Sequence, residues 1–181
     1  GHMKILKLLL NYEADIDQSI DANSNTALMI ASQNGNWEMV ELLLKYKANI
    51  DAQNNDMETA LIIAVENVKL KIVQKLLDCK ADVNIKNRKG ETSLLIASGT
   101  GNLKIVQSLL HHQANVNEKD NKCVTPLMRA YLKGHYEIVQ LLLDNQCDVN
   151  KQSEDGCTTL MMAVRVGDID TAKLLLDKNA D

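Results

Sequence analysis

Residues 125–150 read TPLMRAYLKGHYEIVQLLLDNQCDVN. Thr125 suits a helix N-cap, where its hydroxyl accepts a hydrogen bond from an otherwise unpaired backbone N–H. Pro126 suits the first helical position, where its missing N–H costs nothing. The spacing predicts a short first helix from about Thr125 to Lys133, broken at Gly134. A second helix follows over about Tyr136–Asp144. Its apolar set, Ile138, Val139, Leu141, Leu142 and Leu143, is broad enough to meet neighbours on more than one side. The loop through Asp148, Val149 and Asn150 is expected to project to one edge as an extended, hairpin-like finger.

The rest of the chain repeats this stretch. Thr26, Thr59, Thr92, Thr125 and Thr158 follow one another in steps of 33 residues. Two residues after each stands Leu28, Leu61, Leu94, Leu127 or Leu160. Five after each stands Ala31, Ala64, Ala97, Ala130 or Ala163. Three residue types held in register over five copies mark a stacked-repeat architecture, in which each helix pair shelters its apolar flanks against adjacent copies. The organisation read from this register is a partial repeat over 1–20 (second helix only), repeats over 21–53, 54–86, 87–119 and 120–152, and a repeat over 153–181 that stops after its second helix. Ala14 and Ala48 are 34 residues apart, which predicts one inserted residue between Asp17 and Thr26.

The motif resembles the ankyrin repeat, whose pattern runs roughly G-x-T-P-L-H-x-A near its start and L-L-L-x-x-G-A-D-V-N near its end. The resemblance covers nearly the whole chain and implies an all-α solenoid of stacked helix-turn-helix units with hairpin-like loops. Several positions depart from it. The family histidine is Met29, Ile62, Leu95, Met128 and Met161 here, so the tie it makes to the loop gives way to an apolar contact. The glycine after the second helix is Glu13, Lys47, Lys80, Gln113, Gln146 and Asn179. That position usually needs left-handed backbone, so positive φ is expected at these residues at a cost on the order of 1 kcal/mol each. Between the helices of residues 54–86 the glycine is Val68, and Asn67 is expected to take the turn. This makes 54–86 the unit expected to be least regular.

Composition agrees with thin helical layers. Hydrophobic residues make up 45% of the 181, yet there is no phenylalanine and aromatics are 3%, so the interior must be aliphatic. A net charge of −4 argues against nucleic-acid binding. No apolar run approaches the ~20 residues of a membrane span. Cys79, Cys123, Cys147 and Cys157 form no CxxC pair and have no metal-type histidine spacing, so free thiols, no cofactor or metal, and a cytoplasmic or nuclear location are expected. No secretory signal is recognisable at the start. Gly1-His2-Met3 looks like a tag-cleavage scar, although Gly1 and His2 also fit the register of Gly134 and His135. Met3 to Leu10 would be a second helix without its first. Neither end carries a polar capping unit, so a segment of a longer array is expected.

No catalytic constellation is present. There is no carboxylate pair, phosphate-binding glycine loop or HExxH. His111 and His112 end a helix, and His135 occupies a position that is structural in the family. What the resemblance implies instead is a protein-binding scaffold whose partner lies along a concave face of fingers and first helices. Carried over by register, that face holds Asn25, Glu58, Glu91, Val124 and Cys157 before each Thr. After each Ala come Ser32 and Gln33, Val65 and Glu66, Ser98 and Gly99, Tyr131 and Leu132, and Val164 and Arg165. The finger tips carry Asn23, Asp56, Lys89, Lys122 and Asp155. Asp56, Glu58, Glu66 and Glu91 would form an acidic patch, and Val124, Tyr131, Leu132 and Val164 an apolar one with Tyr131 and Leu132 as anchors. The partner expected is a protein or extended peptide with basic residues and an apolar anchor. The alternative is a spacer or targeting segment of a larger regulatory or chromatin-associated protein. Trp37 and Tyr136 share the first position of the second helix, where packing against the next copy or stacking on a partner is expected. The resemblance also implies asparaginyl hydroxylation at L-x5-[DE]-Φ-N, which Leu76 with Asp82-Val83-Asn84 and Leu142 with Asp148-Val149-Asn150 both match.

Overall fold

A computed structural model describes residue 12 and residues 15–181. The lone second helix expected over 3–10, and Glu13, lie outside the described residues. The described chain is all-α, with ten helices in pairs. They are α1 (Ala27–Asn34), α2 (Trp37–Lys45), α3 (Ala60–Glu66), α4 (Leu70–Asp78), α5 (Ser93–Thr100), α6 (Leu103–His111), α7 (Pro126–Leu132), α8 (Tyr136–Asp144), α9 (Thr159–Val166) and α10 (Ile169–Asp177). Two compact units divide them, Gly1–Arg88 and Lys89–Asp181. In the first, α1 packs on α3 and α2 on α4. In the second, α5, α7 and α9 pack in succession and α6 packs on α8.

Every first helix begins as its threonine dictates. Thr26, Thr59, Thr92, Thr125 and Thr158 accept from the backbone N–H three residues on, at 3.2–3.4 Å. At Thr26 the thioether Sδ of Met29 also accepts from the Thr26 N–H, 3.4 Å away. Met29, Ile62, Leu95 and Met128 are buried, as an apolar contact in place of the histidine requires. Met161 is 50% exposed, so the last pair lacks that contact. The core of the first unit centres on Leu28, Met29, Leu43, Leu61, Ile62 and Leu76, and that of the second on Leu94, Leu95, Ile105, Leu109, Leu127 and Met128.

The second helices end in one local motif. Ala48, Ala81, Ala114, Cys147 and Ala180 each donate their N–H to the carbonyl five residues back. This 6→1 bond closes only if the residue before it is left-handed. Lys47 (φ 62°), Lys80 (65°), Gln113 (64°), Gln146 (57°) and Asn179 (64°) all comply, as the register predicts. Between α3 and α4 the expectation needs correcting. Val68 itself turns left-handed, at φ 55°, while Asn67 stays at φ −88° and donates its side-chain amide to the Ile63 carbonyl at 2.9 Å. Lys69 N–H must reach the Ala64 carbonyl, at 2.9 Å, and only the residue before Lys69 can supply the turn.

The fingers are turns, and the described residues contain no strand. Asp21, Asn54 and Asp120 each accept at one side-chain oxygen from the N–H groups two and four residues on. Such Asx turns let a short polar side chain stand in for backbone. The residue three after each is left-handed, namely Ser24, Met57 and Cys123, as are Gly90 and Gly156 at the same register. This second left-handed position was not expected. Neighbouring fingers are joined by backbone bonds, Asn55 N–H to Asn23 O (2.9 Å) in the first unit and Asn121 N–H to Lys89 O and Glu154 N–H to Lys122 O (both 3.0 Å) in the second. In the first finger Ile20, not Asp21, pairs with the Asn25 carbonyl, which places the inserted residue at that finger's entry.

Candidate functional site

The position just after each Ala+1 separates two environments on the first helices. Gln33, Glu66, Leu132 and Arg165 are exposed, Leu132 by 56%. The residue before each lies differently. Ser32, Val65, Ser98 and Tyr131 are buried, Tyr131 leaving only 8% of its surface accessible. Each sits four residues after Leu28, Leu61, Leu94 or Leu127, so it shares the core-facing side of its helix. Tyr131 is therefore not an exposed anchor, and the expectation built on it is corrected. The spacing from the repeated leucine carried that signal. Val164 holds the same position in α9 and is 65% exposed.

The acidic residues also sort by environment. In the first unit Asp56 and Glu66 are exposed. Glu58 is half-buried. The Asn54 side-chain amide donates to Glu58 Oε2 (3.1 Å) and to Asn25 Oδ1 (2.9 Å), and Asn25 in turn donates to Asp21 Oδ2 (2.8 Å). Asn25 and Glu58 are thus joined in one polar chain across two fingers. Glu91, in the second unit, is buried, and this too corrects the expected patch. Its Oε1 accepts from Arg129 Nη2 at 3.0 Å, and the same nitrogen donates to Asp120 Oδ2 at 2.8 Å. A buried carboxylate needs such a partner. Arg129 stands where Ile30, Ile63, Ile96 and Met162 fill the other copies, and a cation in an apolar register was the signal for it. Gly99 gives its stem room, since a Cβ there would meet Arg129 Cγ at 3.2 Å. Val124 is half-buried.

Other singled-out residues have structural settings. Trp37 is half-buried, whereas Tyr136 is 56% exposed. His135 makes a 3.1 Å ring-nitrogen contact with the Gly99 carbonyl and fills the space over Gly101, where a Cβ would lie 2.5 Å from its Cε1. Cys79 is exposed. Cys147 is buried, which pushes its thiol up to about 11 and keeps it protonated at neutral pH. Asn84 is exposed. Asn150 is built into the loop, its Oδ1 accepting from Asp181 N–H (3.0 Å) and its Nδ2 donating to Asn179 O (3.3 Å) and Asp181 Oδ2 (3.1 Å). Among the described residues no cluster of three or more metal-ligating side chains occurs, and no helix is long and apolar enough to cross a membrane.

The described first helices and fingers present Gln33, Asp56, Glu66, Leu132 and Arg165 outward and keep the repeated Leu, Ala and Thr inside. No match is found among curated proteins. A family model described as ankyrin repeats in three copies matches residues 1–87, 61–153 and 94–181. Ankyrin repeats generally serve as protein–protein interaction modules. With that model covering the chain from end to end, and with the threonine caps, helix pairs and joined fingers in place, the protein belongs to the ankyrin-repeat family.

Proposed function

We propose that the protein is a non-catalytic scaffold that binds a partner protein or extended peptide along the face formed by its fingers and first helices. The observation that carries this reading is Leu132. It is 56% exposed in a position that holds Gln33, Glu66, Gly99 and Arg165 in the other copies. An apolar side chain left in water at one copy of a repeated surface position is a candidate anchor. Asp56 and Glu66, exposed on the first unit, supply the charge that draws basic residues of the partner and speeds encounter.

Selection of a random peptide display library of about twelve residues on the immobilised chain tests both halves. Enriched peptides are expected to combine basic and apolar residues. Leu132→Glu should weaken a selected peptide by ~1–3 kcal/mol, the range for losing an anchor. Asp56→Lys with Glu66→Lys should slow association and remove its salt dependence. Enriched peptides that bind the Leu132→Glu chain with unchanged affinity rule the anchor out.

Asn84 and Asn150 complete this reading as sites of asparaginyl hydroxylation. Because the Asn150 amide is held at both ends, its loop must open before an enzyme reaches it. Asp181→Ala is expected to speed one-oxygen incorporation at Asn150 and leave Asn84 unchanged, as read by peptide mass after incubation with an asparaginyl hydroxylase. Equal rates at Asn150 in both chains would show that the bond to the Asp181 carboxylate does not hold the loop shut.

A further inference from the structure

We infer, resting on the scaffold reading proposed above, that the ends of α7 and α9 seat an acidic amphipathic helix of the partner protein. Five copies share two surface positions at the end of the first helix. In three of them the pair is polar or small, namely Gln33 and Asn34, Glu66 and Asn67, and Gly99 and Thr100. In the last two it is Leu132 with Lys133 and Arg165 with Val166. Each of these two pairs sets one large apolar side chain beside one cation.

All four side chains are exposed, Leu132 by 56% and Val166 by 70%. Val166 does not owe its exposure to its place in the last copy, because Asn34, Asn67, Thr100 and Lys133 at the same register are exposed too. The chain does not neutralise the two cations. Among the described residues no carboxylate lies within ion-pair distance of Lys133 or Arg165, and Glu137 and Asp168, the nearest acids along the sequence, reach neither. In a chain of net charge −4, two cations without ion pairs beside two exposed apolar side chains set this face apart. It complements carboxylates that flank apolar residues. The basic residues expected of the partner answer Asp56 and Glu66 in the first unit, and the second unit asks for the opposite sign.

Spacing narrows the partner's backbone. α7 and α9 pack on one another, and packed helices lie about 8–10 Å apart. Residues seven apart on an α-helix lie about 10.5 Å apart on the same side. An extended strand returns to one face at about 6.8 Å and then about 13.6 Å, and misses that spacing. A polyproline helix repeats at about 9.3 Å, but it is recognised by aromatic-lined grooves, and none of these four side chains is aromatic. A helix crossing α7 and α9 places apolar residues i and i+7 on Leu132 and Val166. Residues i+3 and i+4 then lie between them, within reach of the two cations. The apolar contacts supply affinity, and the exposed ion pairs, individually weak, set charge preference and orientation.

The test is an amide-detected NMR titration of the 181-residue chain with a capped, alanine-rich peptide of about sixteen residues, long enough to be helical. It carries leucines seven apart and glutamates three and four residues from each. Saturating shifts are expected at Leu132, Lys133, Arg165 and Val166. Three control peptides should each bind at least about fivefold more weakly. One has lysine for every glutamate, one has its leucines nine apart and so on opposite faces, and one has a central proline that breaks the helix. Lys133→Glu with Arg165→Glu, both at exposed positions, should weaken the glutamate peptide about fivefold and strengthen the lysine peptide. A glutamate peptide that binds no tighter than any one control, that ignores the double variant, or whose shifts never saturate or centre elsewhere would overturn the proposal. If the glutamate peptide fails while library-selected peptides still depend on Leu132, the scaffold reading stands and the acidic helix falls.

Discussion

Val68 shows how the repeat's geometry overrides residue preference. A β-branched side chain at φ 55° is disfavoured, because its Cβ crowds the backbone. It is held there by the bond from Lys69 N–H to the Ala64 carbonyl, the same closure that forms after Gly35, Gly134 and Gly167 in other copies with no Cβ to strain. Val68 is also 44% exposed, so little core packing depends on its side chain. Val68→Gly is therefore expected to stabilise the protein by about 1 kcal/mol, the left-handed penalty outweighing the added freedom of the unfolded chain. Lys80→Gly, with an unbranched side chain at φ 65°, should gain about half as much. Urea unfolding measures both. A lower midpoint for Val68→Gly would mean that its side chain packs more than its exposure implies.

At the scale of elements, the joint between finger and first helix in the second unit depends on Arg129. Its side chain is 25% exposed and those of the two acids it bridges, Glu91 and Asp120, are 11% and 8% exposed. Asp120 also makes the Asx turn of its finger, so the ion cluster ties that turn to α7. Removing the cation takes the counter-charge from two acids that water reaches poorly. Arg129→Met is expected to cost about 3 kcal/mol in urea unfolding. Adding Glu91→Gln and Asp120→Asn should restore most of that loss, since the amides carry no charge and Asn keeps the turn. If the single variant costs no more than the triple, the cluster is a solvated surface pair.

At the scale of the whole molecule, stability in stacked repeats is a sum over nearest neighbours. Within the second unit α7 packs between α5 and α9 and α8 packs on α6 and α7, whereas α9 and α10 leave Met161, Val164, Val166, Ile169 and Leu176 at least half exposed. Amides of α10 are therefore expected to exchange with solvent by local opening at least about tenfold faster than those of α8 under native conditions. Equal protection in the two helices would show that the unit opens only as one body.

The sequence by itself determined the period, the helix pairs, the threonine caps and the left-handed residues after each second helix. All of these depend on chemistry within a few residues: a hydroxyl three positions from an N–H, or a 6→1 bond that forces one φ. The family pattern lies in the same local signals, so it too was legible. Only the tertiary structure decided which residues face outward. Tyr131 and Leu132 are adjacent, but one is covered and the other open, because burial at the end of α7 is set by elements distant along the chain. Glu91 became interior because Arg129, 38 residues on, reaches it. Local bonding is written in neighbouring residues. Solvent access is set by what folds over them from far along the chain.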